Sequence, residues 1–287
     1  MTGAAKKIAI VTGASEGIGA AAAEALGRAG FDLALAARGA ERLEEVAARL
    51  RAGGREVLAL PTDLADEDET RRLIEATVAR FGGFDVLVNN AGYTQEGPIE
   101  LLDRATMRRQ FEVNVFAPLQ LIALAAPILR ERGGGRIINL SSGAARAAVP
   151  MAGIYSASKA AIELASDALR VELAPWGIHV VIVIPGGIAT RVHDGTLSGI
   201  DRLLADKPAN PYAARLAHFK ANYQKMLGEL HPPAVVAEAI ARAATEPRPR
   251  ARYFAPSGGR LQAALLTLLP ARVVDGMVAK LLEAPKT

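Results

Sequence analysis

The sequence contains no cysteine, and this absence removes two kinds of chemistry. No disulfide framework can hold the fold together, and no thiolate can act as a nucleophile or a metal ligand. Histidine is scarce as well, and His179, His193, His218 and His231 do not show the spacing of a metal site. We therefore expect no metal centre.

Strong charge and long hydrophobic runs are also missing. The net charge is only +4, the arginines are spread along the chain, and no nucleic-acid-binding motif accompanies them. No apolar run reaches the roughly 18 residues of a spanning helix. Residues 1–7 do not resemble a secretory signal, because the apolar stretch that follows them is short. These absences predict a cytoplasmic protein without a nucleic-acid partner.

The first third of the chain alternates short apolar runs with helical segments. Runs at Ile8–Val11, Asp32–Ala36 and Val57–Leu60 are typical of strands buried in a parallel sheet, and a helical segment follows each of them. Asp66 is in position to cap the third helix. The alternation predicts an α/β fold, a doubly wound, Rossmann-like parallel sheet flanked by helices. With 287 residues, 51% of them hydrophobic, we expect a single domain with a C-terminal helical extension.

The first predicted strand meets a glycine-rich turn that opens an alanine-rich helix. The glycines are spaced Gly13-x-x-x-Gly17-x-Gly19, which differs from the commoner dinucleotide fingerprint. Such glycines let the backbone approach a pyrophosphate, and the helix N-terminus offers free N–H groups and partial positive charge. The turn therefore predicts a dinucleotide site, and a turn that merely connects strand and helix is the alternative.

Tyr155 and Lys159 lie four residues apart, on one face of a predicted helix. A lysine charge near a phenol favours the phenolate and lowers the phenol's pKa, so the tyrosine could act as an acid or base near neutral pH. Each pKa unit requires about 1.4 kcal/mol, so one exposed lysine would not suffice. We expect a bound cofactor's charge and local desolvation to contribute. The alternative is an ordinary surface pair.

Several short motifs follow one another between about Lys7 and Thr190. Ser142 follows a predicted strand and precedes Tyr155 by thirteen positions, and Asn114 lies within a predicted helix. The motifs are Thr12–Gly19, Asp63–Leu64, Asn89–Gly92, Asn114, Ser142, Tyr155-x-x-x-Lys159, and Pro185–Gly186 with Thr190. Any one motif is weak, but the full set in this order resembles the short-chain dehydrogenase/reductase family.

This resemblance implies a catalytic set. Tyr155 would give a proton to a carbonyl oxygen or take one from an alcohol, and Lys159 would hold the nicotinamide ribose and favour the tyrosinate. Ser142 would bind the substrate oxygen, although Ser141 offers the same hydroxyl. Asn114 would hold a water next to the lysine; alternatively, its side chain bonds its own helix backbone.

The resemblance also implies a set of cofactor contacts. Asp63 would accept from the adenine amino group, Asn89 and the backbone around Ala91 and Gly92 would line the adenosine, and Thr190 would bind the carboxamide. Tyr155 and Lys159 would contact the cofactor too. The remaining predicted contacts are Gly13, Ser15, Gly17, Ile18, Gly19, Leu64, Pro185, Gly186 and Ile188.

The end of the second predicted strand bears on cofactor choice. An acid near this point binds a free ribose 2′-hydroxyl, whereas an arginine accommodates a 2′-phosphate. Here the strand ends at Ala37 and Arg38 follows, without an acid. Glu16 in the glycine turn tempers the interpretation, and a solvated Arg38 is the alternative. The pattern predicts NADP(H), with NAD(H) second.

The last third resembles the family less closely. Residues 193–230 combine turn residues with large apolar side chains, which predicts a segment covering the substrate; a surface helix pair packed on the core is the alternative. We expect a catalytic domain over 1–257 and an amphipathic extension over 258–287, which looks like the hydroxysteroid and retinol dehydrogenase branch. The extension carries an apolar stripe at helical spacing, namely Val273, Val274, Met277, Val278, Leu281 and Leu282. It would dock on its own domain, on a partner subunit or peripherally on a membrane.

The sequence therefore predicts an oxidoreductase that moves a hydride between NADP(H) and a small carbonyl or alcohol compound. A lipophilic steroid-, retinoid- or lipid-like ketone is the expected substrate. A 3-oxoacyl-type ketoreductase and a non-catalytic nucleotide-binding sensor are the alternatives. Small-residue faces on the helices that hold Asn114 and Lys159 suit a homodimer or homotetramer.

Overall fold

The computed structural model describes residues 6–206, 210–259 and 268–283, which build one parallel sheet covered by helices. The strands are β1 (Ile8–Thr12), β2 (Asp32–Ala37), β3 (Val57–Pro61), β4 (Val86–Asn89), β5 (Gly135–Leu140), β6 (Ile178–Pro185) and β7 (Arg252–Ala255). Their spatial order is β3-β2-β1-β4-β5-β6-β7. The predicted doubly wound sheet is confirmed.

The strand order changes direction between β1 and β4. From β1 the chain moves outward to β3, then returns to place β4 on the other side of β1, with Val11 opposite Val88. The helical connections leave this point in opposite directions, so a crevice opens at the carboxyl ends of the two strands. Ligands of open α/β sheets bind in such a crevice.

Helices cover both faces of the sheet because the strands are apolar on both faces. The helices are α1 (Gly17–Arg28), α2 (Ala40–Ala52), α3 (Glu67–Phe81), α4 (Arg104–Phe111), α5 (Ala117–Glu131), α6 (Gly153–Leu173), α7 (Val192–Asp206), α8 (Ala213–Met226), α9 (Ala234–Thr245) and α10 (Ala271–Ala279). One core layer lies under α1, α2 and α9, with Leu26 and Ile240 fully buried. The opposite layer lies under α3 and α5, with Leu73 and Leu121 fully buried.

Two helix starts are informative. The Asp66 carboxylate accepts from the backbone N–H groups of Asp68 and Glu69 at 2.9 and 3.0 Å, which confirms the predicted cap of α3. Helix α6 begins at Gly153, two residues before the predicted start at Tyr155. The reason is that the Ala152 carbonyl already accepts from the Ser156 N–H, so Tyr155 lies inside the first turn.

Helices α4 and α5 form one continuous helix through a π-helical turn at Glu112–Phe116. Over Arg104–Glu131 this helix is long and apolar enough to cross a membrane by length and composition. Half of its apolar window is buried inside the fold, as in a helix that packs on a sheet. The buried half of this window therefore belongs to the core of the fold.

Residues 193–230 form the greater part of the helix pair α7 and α8. A third apolar cluster lies between these helices and the loop before α6, and we call it the lid cluster. Its buried members are Met151, Ile200, Leu216 and Phe219. The segment therefore packs on the domain as a helix pair, as the structural alternative expects, and it lies next to the loop that leads to Tyr155.

The C-terminal extension docks partly on the lid cluster. Leu281 and Leu282 pack against it, and the Asn222 side-chain amide donates to the carbonyls of Leu281 and Glu283 at 3.1 and 3.0 Å. Val273 and Met277 of the predicted stripe remain exposed. Residues 260–267 and 284–287 of the extension lie outside the described residues. Lipid contact by the exposed face stays a prediction.

Candidate active site

Ser142 and Tyr155 meet at the carboxyl end of β5. Ser142 comes two residues after the strand, Tyr155 lies in the first turn of α6, and their side chains are hydrogen-bonded. Ser141 is directed elsewhere, because its hydroxyl donates to Glu163 Oε1 at 2.7 Å. The structure therefore brings Ser142, and not Ser141, to the tyrosine.

Burial acts on the tyrosine in the direction opposite to the one expected from the sequence. Desolvation raises the pKa of the Tyr155 phenol, and only the Ser142 hydrogen bond opposes it. The expectation that desolvation helps to form a phenolate is wrong, since a low-dielectric environment disfavours the charged form of an acid. In the free protein the phenol is therefore protonated at neutral pH.

Lys159 is buried, and it reaches back toward the strand end. Its Nζ donates to the Leu140 carbonyl at 2.8 Å and lies 6.0 Å from the centroid of the Tyr155 ring. Burial lowers the pKa of the Lys159 ammonium to about 8. The amine is therefore close to its titration range under ordinary assay conditions, which an exposed lysine is not.

Asn114 lies in the π-helical turn and ties three elements together. Its amide donates to the Tyr93 carbonyl and to the Ser158 hydroxyl, each at 3.1 Å, and its Oδ1 accepts from the Tyr93 N–H at 3.2 Å. The alternative in which Asn114 bonds its own helix backbone is wrong. A Cβ at Gly92 would lie 3.1 Å from Asn114 Oδ1 and 3.5 Å from Lys159 Nζ, so the glycine leaves room for both side chains.

The glycine turn packs tightly against the end of β4. Gly13 has a φ of 67°, and a Cβ at Gly19 would lie 2.0 Å from the Gly13 carbonyl oxygen, so only glycine fits there. Asn90 Nδ2 donates to the Thr12 carbonyl at 2.8 Å, and the Thr12 hydroxyl accepts from the N–H groups of Asn90 and Ala91. Thr12 and Asn90 were not predicted from the sequence to join the glycine turn to β4, although both are polar residues at neighbouring strand ends.

The turn provides a fit for an anionic cofactor. Helix α1 begins at Gly17, and the side chain of its N-cap residue Glu16 makes no hydrogen bond to the first N–H groups. Uncapped N–H groups at a helix start suit an anionic group. The loop after β6 lies across the turn, because a Cβ at Gly17 would contact the Thr190 methyl at 3.3 Å. The two segments of predicted cofactor contacts therefore meet at Gly17 and Thr190. The first segment also carries Gly13, Ser15, Ile18 and Gly19, and the second carries Pro185, Gly186 and Ile188.

Asn89 does not present its side chain to the crevice. It is 5% exposed, and its Nδ2 donates to Asn139 Oδ1 at 2.9 Å, while Asn139 donates to the Ser166 hydroxyl at 2.8 Å. Through this ladder Asn89 joins β4 to β5 and α6. Contact with the adenosine at this strand end would therefore come from the following residues Ala91 and Gly92.

Asp63 is engaged by an arginine that sequence reasoning did not find. Arg109 Nη2 donates to Asp63 Oδ2 at 2.8 Å. Burial alone would raise the pKa of the Asp63 carboxyl, but the Arg109 hydrogen bond, the Ala65 N–H and the nearby Arg38 charge hold it below its usual value. Arg109 lies 46 residues along the chain in α4, so no spacing rule pairs it with Asp63. Leu64, the next predicted contact, is buried.

Arg38 stands exposed after β2, and among the described residues it makes no hydrogen bond or ion pair. Glu16, which tempers the cofactor prediction, is engaged by two cations, Arg42 at 2.9 Å and Arg191 at 3.5 Å. The negative charge of the Glu16 carboxylate is therefore balanced by two arginines of the protein. Arg42 was not singled out from the sequence, although it lies one helical turn beyond Arg38 on α2.

A buried carboxylate supports the strand end behind Ser142. Glu163 accepts from the Ser141 hydroxyl at 2.7 Å and from Arg146 at 2.9 Å, and Arg252 lies 3.5 Å away. Arg146 belongs to the loop between Ser142 and Tyr155. This ion pair therefore fixes the path of the chain between the two site residues.

Comparisons with known proteins identify the family to which the chain is similar. A family model described as short chain dehydrogenase matches residues 7–199. The Uncharacterized oxidoreductase YusZ of Bacillus subtilis is 34% identical over 279 residues, covering 96% of this chain and 98% of that protein. The 11-beta-hydroxysteroid dehydrogenase A of Sesamum indicum is 37% identical over 191 residues, covering 66% of this chain and 54% of that protein.

A solved structure extends the comparison. A metagenomic short-chain oxidoreductase in complex with NADP superposes with a TM-score of 0.69 at 28% identity, covering 86% of this chain and 96% of that chain. This chain spans very different shares of its curated relatives, for example 14% of the length of the Glycine betaine reductase ATRR of Emericella nidulans and 98% of the length of YusZ. The resemblance stated from the motifs is confirmed.

The buried lysine predicts a pH dependence of stability. Because the folded-state pKa of Lys159 is about 8, below the ordinary value of 10.5, charging it costs the folded protein on the order of 3 kcal/mol below pH 8. This cost disappears as the pH rises from 8 toward 10.5. The melting temperature of Lys159→Met minus that of the wild type should therefore decrease across this range in the cofactor-free protein. Lys225→Met, an exposed control, should show no such trend; a parallel trend in both variants would contradict the assignment.

Proposed function

The chain belongs to the short-chain dehydrogenase family, and on that premise we propose that it is an NADP(H)-dependent oxidoreductase of lipophilic carbonyl compounds and alcohols. One observation carries the proposal. Ser142, Tyr155 and Lys159 converge at the end of β5, beside a glycine turn shaped for a dinucleotide. This arrangement provides a proton donor, an oxygen-binding group and a cation at one point.

When bound, a nicotinamide cofactor supplies or accepts the hydride, and the protein contributes binding, orientation and electrostatics. The glycine turn and the uncapped start of α1 would hold its pyrophosphate. Lys159 would hold the nicotinamide ribose, and Thr190 the carboxamide. Ala91 and Gly92 would line the adenosine, and Asp63 would face the adenine with its carboxylate oriented by Arg109.

The proton is handled by Tyr155. In reduction, its hydroxyl would donate to the carbonyl oxygen of a substrate that also accepts from Ser142. The raised pKa of the phenol supports this direction, because the proton is present at neutral pH. Protonated Lys159 would stabilise the phenolate as it forms, and Asn114 would hold the water that returns the proton.

Cofactor choice would depend on Arg38. The end of β2 carries no carboxylate that could repel a 2′-phosphate, and the exposed guanidinium of Arg38 can meet a phosphate with two charge-assisted hydrogen bonds. Glu16 is paired with Arg42 and Arg191, which reduces its repulsion. The NADP bound in the metagenomic relative supports the same choice.

The substrate class follows from the lid cluster. Met151 precedes the helix that carries Tyr155, and Tyr223, which packs against the lid cluster, is close enough to Tyr155 to interact with it electrostatically. Leu281 and Leu282 pack against the same cluster. The name of the sesame relative supports a steroid-like or other lipophilic compound. A 3-oxoacyl-type substrate is the second candidate, because a long acyl chain would use the same wall.

Assembly would use the outer faces of the two helices that hold the site. Phe116, next to α5, and Leu164 and Val171 on α6 are large apolar side chains that remain exposed in the single chain. Exposed apolar side chains on adjacent helices favour association. We therefore propose that the protein forms a homodimer or homotetramer. We also propose that it acts in the cytoplasm.

Removing the transferable proton should abolish turnover. Tyr155→Phe keeps the ring and loses the hydroxyl, and we expect kcat to fall by roughly 10²–10⁴ or more, because general acid–base catalysis contributes about that much. Cofactor affinity should be largely retained. Lys159→Ala, in contrast, should lower both kcat and the affinity for the cofactor. Steady-state kinetics and cofactor titration test this, with Tyr212→Phe as a control; retention of a tenth of wild-type turnover in Tyr155→Phe would refute the role.

Replacing the residues after β2 should reverse cofactor preference. Hydrogen bonds to charged groups contribute roughly 1.5–3 kcal/mol, so the wild type should prefer NADP(H) by about tenfold to a hundredfold in kcat/KM. Arg38→Ala combined with Ala37→Asp should favour NAD(H). Equal kcat/KM for the two cofactors in the wild type would show that Arg38 does not select the cofactor. The same conclusion would follow if the double variant kept the wild-type ratio of kcat/KM for NADP(H) to kcat/KM for NAD(H).

Longer apolar substrates should react more efficiently. Each buried CH₂ contributes about 0.8 kcal/mol, so kcat/KM should rise by roughly fourfold per methylene along a homologous series of ketones until the cleft is filled. The measurement is kcat/KM for each ketone at saturating cofactor. A flat series would show that α7 and α8 do not form a substrate wall.

A further inference from the structure

Glu96 is a buried carboxyl group outside the catalytic set. It lies in the loop after β4 and is 4% exposed, and its Oε2 would lie 2.6 Å from a Cβ at Gly199, so it presses directly on α7. Its Oε1 has no hydrogen-bond partner in the described part of the chain. A buried carboxylate with an unpartnered oxygen is costly, whereas a neutral acid in the same place is not.

His193 and Tyr223 define the direction of the hydrogen bonds nearby. His193 Nε2 lies 2.7 Å from the Ile188 carbonyl oxygen, and His193 Nδ1 lies 2.5 Å from the Tyr223 hydroxyl. A carbonyl can only accept, so Nε2 carries the hydrogen. In the neutral ring Nδ1 is then an acceptor, and the Tyr223 hydroxyl donates its proton to it.

Thr196 links this pair to Glu96, because its hydroxyl is hydrogen-bonded to both Tyr223 and Glu96. A hydroxyl has one proton and can donate to only one of them. Since the Tyr223 proton goes to His193, the Tyr223 oxygen must accept from Thr196. The bond between Thr196 and Glu96 then requires Glu96 to donate, and only the neutral acid has a proton to give.

We propose that Glu96 is a neutral carboxylic acid that heads a one-way hydrogen-bonded chain, in the order Glu96, Thr196, Tyr223, His193 and the Ile188 carbonyl, which positions α7 and α8 as a wall of the substrate cleft. The proposal rests on the proposed function in one respect, namely that these helices cover a substrate. Ile188 lies in the loop that would contact the cofactor. The chain therefore joins the cofactor side of the site to the substrate wall.

The groups around the chain are consistent with this state. Burial raises the pKa of Glu96 and outweighs the Arg202 charge on α7, which acts in the opposite direction. Tyr93 also faces Glu96. Burial raises the pKa of Tyr223 as well, and Tyr223 is close enough to Tyr155 for their charges to interact. The chain therefore passes near the catalytic tyrosine at its middle link, Tyr223, and ends at the Ile188 carbonyl.

A stability measurement tests the neutral acid without any turnover. A carboxyl with a raised folded-state pKa is neutral in the fold while it is ionised in the unfolded chain, so the wild type loses stability as the pH rises above the ordinary value of about 4.5. Glu96→Gln keeps the shape and an N–H donor. We expect the melting temperature of Glu96→Gln minus that of the wild type to be larger at pH 8 than at pH 4.5. Glu238→Gln, an exposed control, should show no change with pH. An equal difference at both pH values in Glu96→Gln would overturn the neutral acid.

A kinetic measurement on the full-length protein tests the positioning role. Tyr223→Phe removes the middle link, and we expect KM for the carbonyl substrate to rise by about threefold to tenfold, the effect of one lost hydrogen bond, with kcat and the Kd of NADPH nearly unchanged. Glu96→Gln should keep the wild-type KM, and Tyr212→Phe serves as the matched control in the same segment. An unchanged KM in Tyr223→Phe, or an equal loss of NADPH affinity, would overturn the role. If no carbonyl substrate is turned over by the wild type, the proposed function fails, and the stability measurement still decides the state of Glu96.

Discussion

The site depends on how closely backbone segments approach one another at the switch point of the sheet. Gly19 lies against the Gly13 carbonyl at a distance that no Cβ allows, and Gly92 leaves the space into which Asn114 and Lys159 converge. Each contact joins a different strand end to a different helix. The absence of side chains at these points therefore sets the position of the catalytic groups as directly as the groups' own contacts do.

Burial has opposite effects on the two central groups. It raises the pKa of the Tyr155 phenol and lowers the pKa of the Lys159 ammonium to about 8, so in the free protein both groups are driven toward their neutral forms. With a pKa of about 8 the lysine is still mostly charged at neutral pH, whereas the phenol is protonated. In the free protein, burial therefore opposes the tyrosinate and not the ammonium.

The sequence predicts the sheet and its order of elements, because buried strands are local signals. The family resemblance implies that Ser142, Tyr155 and Lys159 belong to one site, and the structure brings their side chains to the end of β5. It does not predict the Arg109 bond to Asp63, the ladder that begins at Asn89, or the support of Ser141 by Glu163. These contacts join residues that are distant along the chain and belong to no periodic pattern. The direction of the burial effect on Tyr155 also required knowing how deeply the phenol is enclosed.

The docking of residues 281–283 on the lid cluster has a consequence for selectivity. Asn222 holds the backbone of these residues, and Leu281 and Leu282 pack against the apolar cluster. If α7 and α8 form the substrate wall, as we propose, changes at Leu281 and Leu282 would reshape the cleft without touching a catalytic side chain. Substrate range could then diversify at positions far along the chain from Tyr155, and substitutions there would alter selectivity before they altered the chemistry.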